Sequence, residues 1–221
     1  MKKIIAILPM RAGSQRVVNK NSRIVNGKYL FEYIVNKLLS ISLIDKIIIN
    51  TDITEVQKKY YSNKKIYLID RKEKLKGNCN INLVIKDTIE NIEADLFIQI
   101  HATNPLFKIP TLEKAINFYF DNIVTYDSLI SVTKIFKRFW DKNNMPLNHK
   151  FGDEPTTQNL EPYFEENSCF YLFSKQSFFM NNNRIGKNPK LFEISKEESW
   201  DVDDEADLNI LEKILNNSDV D

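Results

Sequence analysis

With 221 residues and 43% hydrophobic content the chain can bury a sizeable core, and 31 basic residues against 30 acidic ones exclude a general nucleic-acid binder. Two histidines are too few for a His-rich metal site, and the two cysteines, Cys79 and Cys169, lack metal-ligand spacing; they read as reduced thiols or as small packed residues. No stretch approaches the ~20 apolar residues of a membrane span, and the apolar run after Lys2 and Lys3 stops at Pro9, too short for a signal peptide, so a soluble cytoplasmic protein without membrane or nucleic-acid partners is expected.

The first element is a buried strand, Ile4 to Leu8, ending at Pro9. A cationic loop follows, with Arg11, Gly13, Ser14, Gln15, Arg16, Lys20 and Asn21. Such a loop fits phosphate: Arg11 and Lys20 supply charge, Ser14 and Asn21 neutral donors, and Gly13 lets backbone N–H groups approach an anion. It fits equally a solvated basic loop. A turn is expected at Asn26-Gly27 and a helix over Tyr29 to Leu39. Ile47 to Ile49 reads as a strand ending in Asn50-Thr51-Asp52, Thr54 to Tyr61 as a helix and Ile66 to Ile69 as a strand. This alternation predicts a mostly parallel sheet with helices on both faces. Asp70 to Asn82 reads as a surface loop and Leu83 to Ile92 as a helix. Asp95 to Ile100 is a strand opening into His101-Ala102-Thr103-Asn104-Pro105. A helix over Thr111 to Phe120 and a strand over Ser128 to Val132 follow. Thr133 to Asn167 lacks apolar periodicity and reads as an excursion from the core, an arm able to reach a neighbouring subunit. Ser168 to Phe173 returns as a strand, Lys175 to Asn181 as a short helix, Phe192 to Ile194 as a last strand, and Asp204 to Leu215 as the final helix.

Open α/β sheets bind ligands at the carboxyl ends of their strands. In Asp201-Val202-Asp203 an extended backbone places both carboxylates on one side, suited to a divalent ion. The alternative is that Asp203 only caps the final helix. A P-loop is excluded because no G-x-x-x-x-G-K-[ST] occurs.

Leu8-Pro9-Met10-Arg11-Ala12-Gly13-Ser14-Gln15-Arg16, continuing to Asn19-Lys20-Asn21, resembles the opening motif of the acylneuraminate cytidylyltransferases, the CMP-sugar-acid synthetases. Asn50-Thr51-Asp52 resembles their second-strand end. Ala102 to Leu106 is similar to "PTSPL", Glu166 to Tyr171 to "ENGAFY", and Asp201 to Leu208 to "DIDTPEDL". The matches lie in order over nearly the whole chain.

The resemblance implies a Rossmann-like nucleotidyltransferase over residues 1–221, with 133–167 as a dimerisation arm of a homodimer. It implies CTP, Mg²⁺ (or Mn²⁺) and a 2-keto-3-deoxy sugar acid as acceptor. Arg11, Lys20 and Asp203 are then the catalytic residues. Arg11, Ala12, Gly13, Ser14, Lys20, Asn21 and Arg71 bind nucleotide; Asp201 and Asp203 bind the metal. His101, Thr103, Gln158, Asn167 and Tyr171 face the acceptor. For Arg71 a solvated surface position is the competing reading, and for His101 a packed structural one. A 3-deoxy-octulosonate-like acceptor, or a non-catalytic nucleotide-sugar binder, is the alternative function. Three departures stand out: Gln15 replaces a common Lys, His101 a common Gln, and Thr157 the Arg of "RQDL", with Lys134, Lys137, Arg138 and Arg184 as candidate replacements for that charge.

Overall fold

The computed structural model describes residues 2–152 and 156–218. In chain order the elements are β1 (Ile4–Met10), a small ribbon of β2 (Ile24–Val25) and β3 (Lys28–Tyr29), α1 (Leu30–Ser40), β4 (Lys46–Thr51), α2 (Thr54–Tyr60) and β5 (Ile66–Asp70). There follow α3 (Ile81–Ile89), β6 (Leu96–Ile100), α4 (Ile109–Asp121), β7 (Ser128–Ile135), β8 (Tyr163–Phe173), α5 (Lys175–Asn181), β9 (Pro189–Glu193) and α6 (Glu205–Ser218). Seven strands form one sheet in the order β5-β4-β1-β6-β8-β7-β9. Parallel pairing joins β1 to β4 and β6, β4 to β5, and β7 to β9. Only β8 runs antiparallel to its neighbours β6 and β7. The architecture is the Rossmann-like one expected, mostly parallel with helices on both faces.

The central strand explains the continuous apolar run. Ala6, Leu8 and Met10 of β1 pack with Phe31, Val35 and Leu38 of α1 and with Ile116 of α4. Ile5 and Ile7 point to the other face, against Ile85 and Ile89 of α3 and Phe178 of α5. Burial on both faces removes the polar alternation a half-exposed strand would show. Each such Ile or Leu contributes ~1.5–3 kcal/mol of transfer free energy.

Several boundaries differ from the sequence reading, each for a local reason. β1 continues through Pro9 to Met10, pairing with β4 to Thr51, whereas its last pair with β6 is Ile7–Gln99. Proline lacks a donor and is tolerated where a neighbouring strand has departed. α3 starts at Ile81, before Leu83, because the Asn80 side chain caps it by accepting from the Asn82 N–H. The Asn26-Gly27 turn forms, with φ of 46° and 76° at its two residues, which is type I′ geometry and joins the β2–β3 ribbon.

The 133–167 stretch is only partly an excursion. β7 runs on to Ile135 and β8 begins at Tyr163, so a two-stranded ribbon leads into residues 136–152 and 156–162, the remaining arm residues 153–155 lying outside the described residues. The register shifts where Ile130 pairs with Tyr171 but Val132 with Glu166. Asn167 holds this bulge: its side chain meets Ser131 Oγ at 2.7 Å, Thr133 Oγ1 at 3.0 Å and the Cys169 N–H at 3.2 Å. Those bonds replace the ladder bonds that the bulge interrupts.

Candidate active site

β1 connects onward to β4 on one side, while β6 lies on its other side, so the sheet has its topological switch point between β1 and β6. A cavity of about 590 Å³ opens there, lined by Arg11, Ser14, Gln15, Arg16, Lys20 and Asn21 after β1, by His101 and Thr103 after β6, and by Asp201 and Asp203. That volume falls in the range of small-molecule sites. The basic loop and the acid pair, about 190 residues apart in sequence, therefore face one space.

The loop is held by its own polar groups. Ala12 donates its N–H to Asp52 Oδ1 at 2.7 Å, Asn21 Nδ2 donates to the Arg11 carbonyl at 3.2 Å, and Arg11 Nη1 donates to Asn78 Oδ1 at 2.7 Å. Gly13 sits at φ 69° with open space around it, a backbone state that favours glycine. Arg71, at the end of β5, is buried at 7% exposure, which excludes the solvated position. It donates to Asn50 Oδ1 at 3.0 Å and to the Asn50 carbonyl at 2.9 Å, and it too lines the cavity. Burial pushes its guanidinium pKa down, with Asp52 opposing. Four cations, Arg11, Arg16, Lys20 and Arg71, thus surround the cavity against two carboxylates, a field that favours a polyanion.

The capping question is resolved by the neighbouring residue. Asp204 accepts the Asp207 N–H at 2.9 Å, and Asp207 Oδ2 accepts the N–H groups of Asp203 and Asp204 at 2.8 and 3.0 Å. This reciprocal pair caps α6, so the Asp203 carboxylate is left to the cavity. It meets Arg16 Nη2 at 2.8 Å and Lys20 Nζ at 3.3 Å. Lys20 Nζ also donates to the Val202 carbonyl at 2.5 Å. The segment is docked on the β6 loop, where Val202 N–H donates to the Thr103 carbonyl at 2.9 Å. Asp201 is pushed up by burial, with the Thr103 hydroxyl opposing, and its Oδ1 is buried without a partner. A buried, unpaired carboxylate oxygen beside a second carboxylate is a hard-oxygen donor set that fits Mg²⁺. Among the described residues no cluster of three or more His, Cys, Asp or Glu that could hold a metal ion by itself is found.

Three of the residues expected to face the acceptor do not line this cavity. Gln158 is exposed on a short 3-10 turn, Thr157–Asn159, in the arm. Asn167 is engaged in the bulge. Tyr171 is fully buried, with the Arg184 guanidinium 3.5 Å over its ring. Asn167 and Tyr171 shape the "ENGAFY"-like strand itself, whose bulge presents Ser168, at φ 58°, to the cavity. Sequence reasoning also missed the opposite wall, formed by Leu75, Gly77, Asn78, Cys79, Ile81 and Val84. The polar composition of residues 70–82 marked a loop and carried no signal of where it folds.

A mostly parallel sheet that gathers a basic loop, a buried arginine and two carboxylates at its switch point has the build of a nucleotidyltransferase. A family model described as cytidylyltransferase matches residues 5–214, and the chain belongs to that family. It is 26% identical to a CMP-N,N'-diacetyllegionaminic acid synthase of Legionella pneumophila, over 96% of each chain. It is 25% identical to the post-translational flagellin modification protein B of Campylobacter coli, over 97% of this chain and 96% of that one. Among solved structures it superposes on a CMP:2-keto-3-deoxy-manno-octonic acid synthetase complexed with CTP, with a TM-score of 0.72 and 15% identity over 98% of this chain and 99% of the other.

Proposed function

We propose that this cytidylyltransferase moves CMP from CTP to the anomeric hydroxyl of a 2-keto-3-deoxy sugar acid of the nonulosonic, sialic- or legionaminic-acid type, releasing pyrophosphate, in the cytoplasm and for surface glycan synthesis. The observation that carries the reading is the single cavity shared by Arg11, Ser14 and Lys20 on one wall and Asp201 and Asp203 on the other. The motif order of the chain and the name of the Legionella relative support the acceptor class.

In this reading Arg11, Ser14 and Lys20 hold the triphosphate, and Asn21 and Arg71 position the nucleotide. The acceptor hydroxyl oxygen forms a bond to the α-phosphorus as the α–β anhydride bond breaks, and the hydroxyl proton passes to solvent. Lys20 and Arg16 neutralise charge on the departing pyrophosphate. Asp201 and Asp203 would hold Mg²⁺, which would supply charge neutralisation at phosphate and a lowered pKa for the attacking hydroxyl. Thr103 orients Asp201 through its hydroxyl and Val202 through its carbonyl. Catalysis is then mostly positioning and electrostatics. The arm, with exposed Phe136, Trp140, Met145, Leu147 and Phe151, forms the homodimer interface in the same reading.

The test is pyrophosphate release with CTP, UTP, GTP or ATP against N-acetylneuraminate, legionaminate-type acids and 3-deoxy-octulosonate, with mass spectrometry of the product. Turnover with CTP and a nonulosonic acid is expected. Turnover only with 3-deoxy-octulosonate moves the assignment to that acceptor, and release with no sugar acid removes the acceptor class.

A further inference from the structure

The inner wall of the cleft holds a side-chain cluster that the reading above leaves without a role. Arg184, on the turn after α5, has a side chain only 12% exposed. Its guanidinium lies on the Tyr171 ring at 3.5 Å and donates through Nη1 to Gln99 Oε1 of β6. The same Nη1 lies 3.4 Å from His101 Nε2. Glu166 Oε1 stands 3.8 Å from Nη2 and accepts the Tyr171 hydroxyl. The turn itself is fixed: the Arg184 N–H donates to Asn82 Oδ1 at 3.2 Å and the Gly186 N–H to Ser128 Oγ at 2.8 Å. A Cβ on Gly186 would fall 2.2 Å from Asp127 Oδ1, so only glycine lets the turn pack this closely.

We propose that Arg184 is a positioning residue that fixes His101 as the neutral, Nδ1-protonated imidazole, and that this ring offers the acceptor a neutral N–H donor. The proposal rests on the cleft being the acceptor site.

A guanidinium has only donors, so the ring nitrogen facing Arg184 must accept. A neutral imidazole with Nε2 as acceptor carries its proton on Nδ1. Both hydrogens of Nη1 are then used, one on Gln99 and one on His101. Stacking on Tyr171 and the Gln99 bond hold the guanidinium plane, so the ring cannot turn its N–H toward it without losing that contact. His101 lines the cavity beside Thr103 and Ser168, and its remaining polar atom is the protonated one. The charged and titratable groups facing the ring are Arg184 and, behind it, Glu166; Tyr171 of β8, whose ring lies 6.4 Å away; and Lys20 across the cleft. Burial first, then Arg184 and Lys20, push the imidazole down to about 3. A neutral donor suits a hydroxyl or an acyl carbonyl oxygen of the sugar acid. It gives no ionic anchor for the carboxylate.

The chain has two histidines, so long-range ¹H–¹⁵N spectra read each tautomer directly, with His149→Gln assigning the pair. The wild-type protein is expected to show His101 with a protonated Nδ1 and no titration between pH 5 and 8. Arg184→Met is expected to release the ring, which then shows the Nε2-protonated tautomer, and to raise the acceptor KM about tenfold with the CTP KM unchanged. Arg184→Lys keeps the charge and a donor; it covers the case in which the methionine variant does not fold, and is expected to retain the Nδ1–H form. A wild-type ring protonated at Nε2, or titrating near its ordinary value, overturns the proposal. So does an Arg184→Met protein with the wild-type tautomer or the wild-type acceptor KM. The spectra need no turnover, so a protein inactive with every sugar acid but showing the expected tautomer refutes the acceptor assignment and leaves the Arg184–His101 relation standing.

Discussion

Arg16 Nη2 lies 2.8 Å from Asp203 Oδ1, so without nucleotide one of the two cavity carboxylates is neutralised by the loop proposed to bind phosphate. In the proposed reading a triphosphate would compete for that cation and free Asp203 for metal. Arg16→Ala is therefore expected to strengthen Mn²⁺ binding to the nucleotide-free protein about two- to fivefold, the scale of one exposed ion pair. Electron paramagnetic resonance of free Mn²⁺ measures it. Unchanged affinity means that Lys20 alone holds Asp203.

Asp203→Asn changes charge with little change in volume, and Asp204 rather than Asp203 caps α6. Turnover is expected to fall by about 10²–10³-fold, the scale of losing a key electrostatic group, with the circular dichroism spectrum unchanged. Activity at the wild-type level removes Asp203 from the mechanism.

Asp201 tells the complementary story. Burial raises its carboxyl pKa, so the folded state favours the protonated form and is penalised as pH rises above the carboxyl's unfolded value. At pH 7, Asp201→Asn is expected to be inactive yet melt higher than wild type by ~2–4 °C, the shift for about 1 kcal/mol at this chain length. Equal or lower melting at pH 7, with the difference absent near pH 4 as well, contradicts the burial cost.

His101 has the opposite sign. Its folded pKa is depressed, to about 3, so its contribution to stability is present above the unfolded value of ~6.5 and is lost as pH falls toward the folded one. His101→Gln is expected to flatten the decline of unfolding free energy between pH 6.5 and 4. Urea titrations at three pH values measure the difference.

Asn167 bridges Ser131, Thr133 and Cys169 at the β7–β8 bulge. Asn167→Ala leaves partly buried partners unpaired, and a loss of ~1–3 kcal/mol is expected. Chemical denaturation reads it. An acceptor KM that rises with no loss of stability restores Asn167 to the substrate-facing role.

Ile135 and Tyr163 are already cross-strand partners, so residues 136–162 can be replaced by an Asn-Gly turn without moving the ribbon. If the arm forms the homodimer, this variant is monomeric by light scattering. A dimer of unaltered stability places the interface elsewhere.

Much of the fold was legible because its signals are local. Continuous Ile and Leu runs mark strands covered on both faces, Asn26-Gly27 sets its own turn, and the motifs after β1 and before α6 announce phosphate-like and metal-like chemistry by residue type. The misreadings have a common source. Thr133 to Ile135 and Tyr163 to Asn167 are strand residues that mix polar and apolar side chains without strict alternation, because a ribbon at the rim of the sheet has little core face to keep apolar. Gln158, Asn167 and Tyr171 sit in family-like motifs, yet one is exposed on the arm and two serve the bulge and the Arg184 platform.

The amino-acid order alone determined which segments become strands and helices, and that a basic loop comes first and an acid pair last. What only the tertiary structure decided is which side chain answers which: that Arg16 meets Asp203, that Arg71 is buried on Asn50, and that Arg184 meets His101. Helices and turns are set by bonds a few residues apart, whereas these contacts join residues 21 to 187 positions apart. Burial and charge pairing at such separations belong to the packed sheet, and no window of sequence contains them.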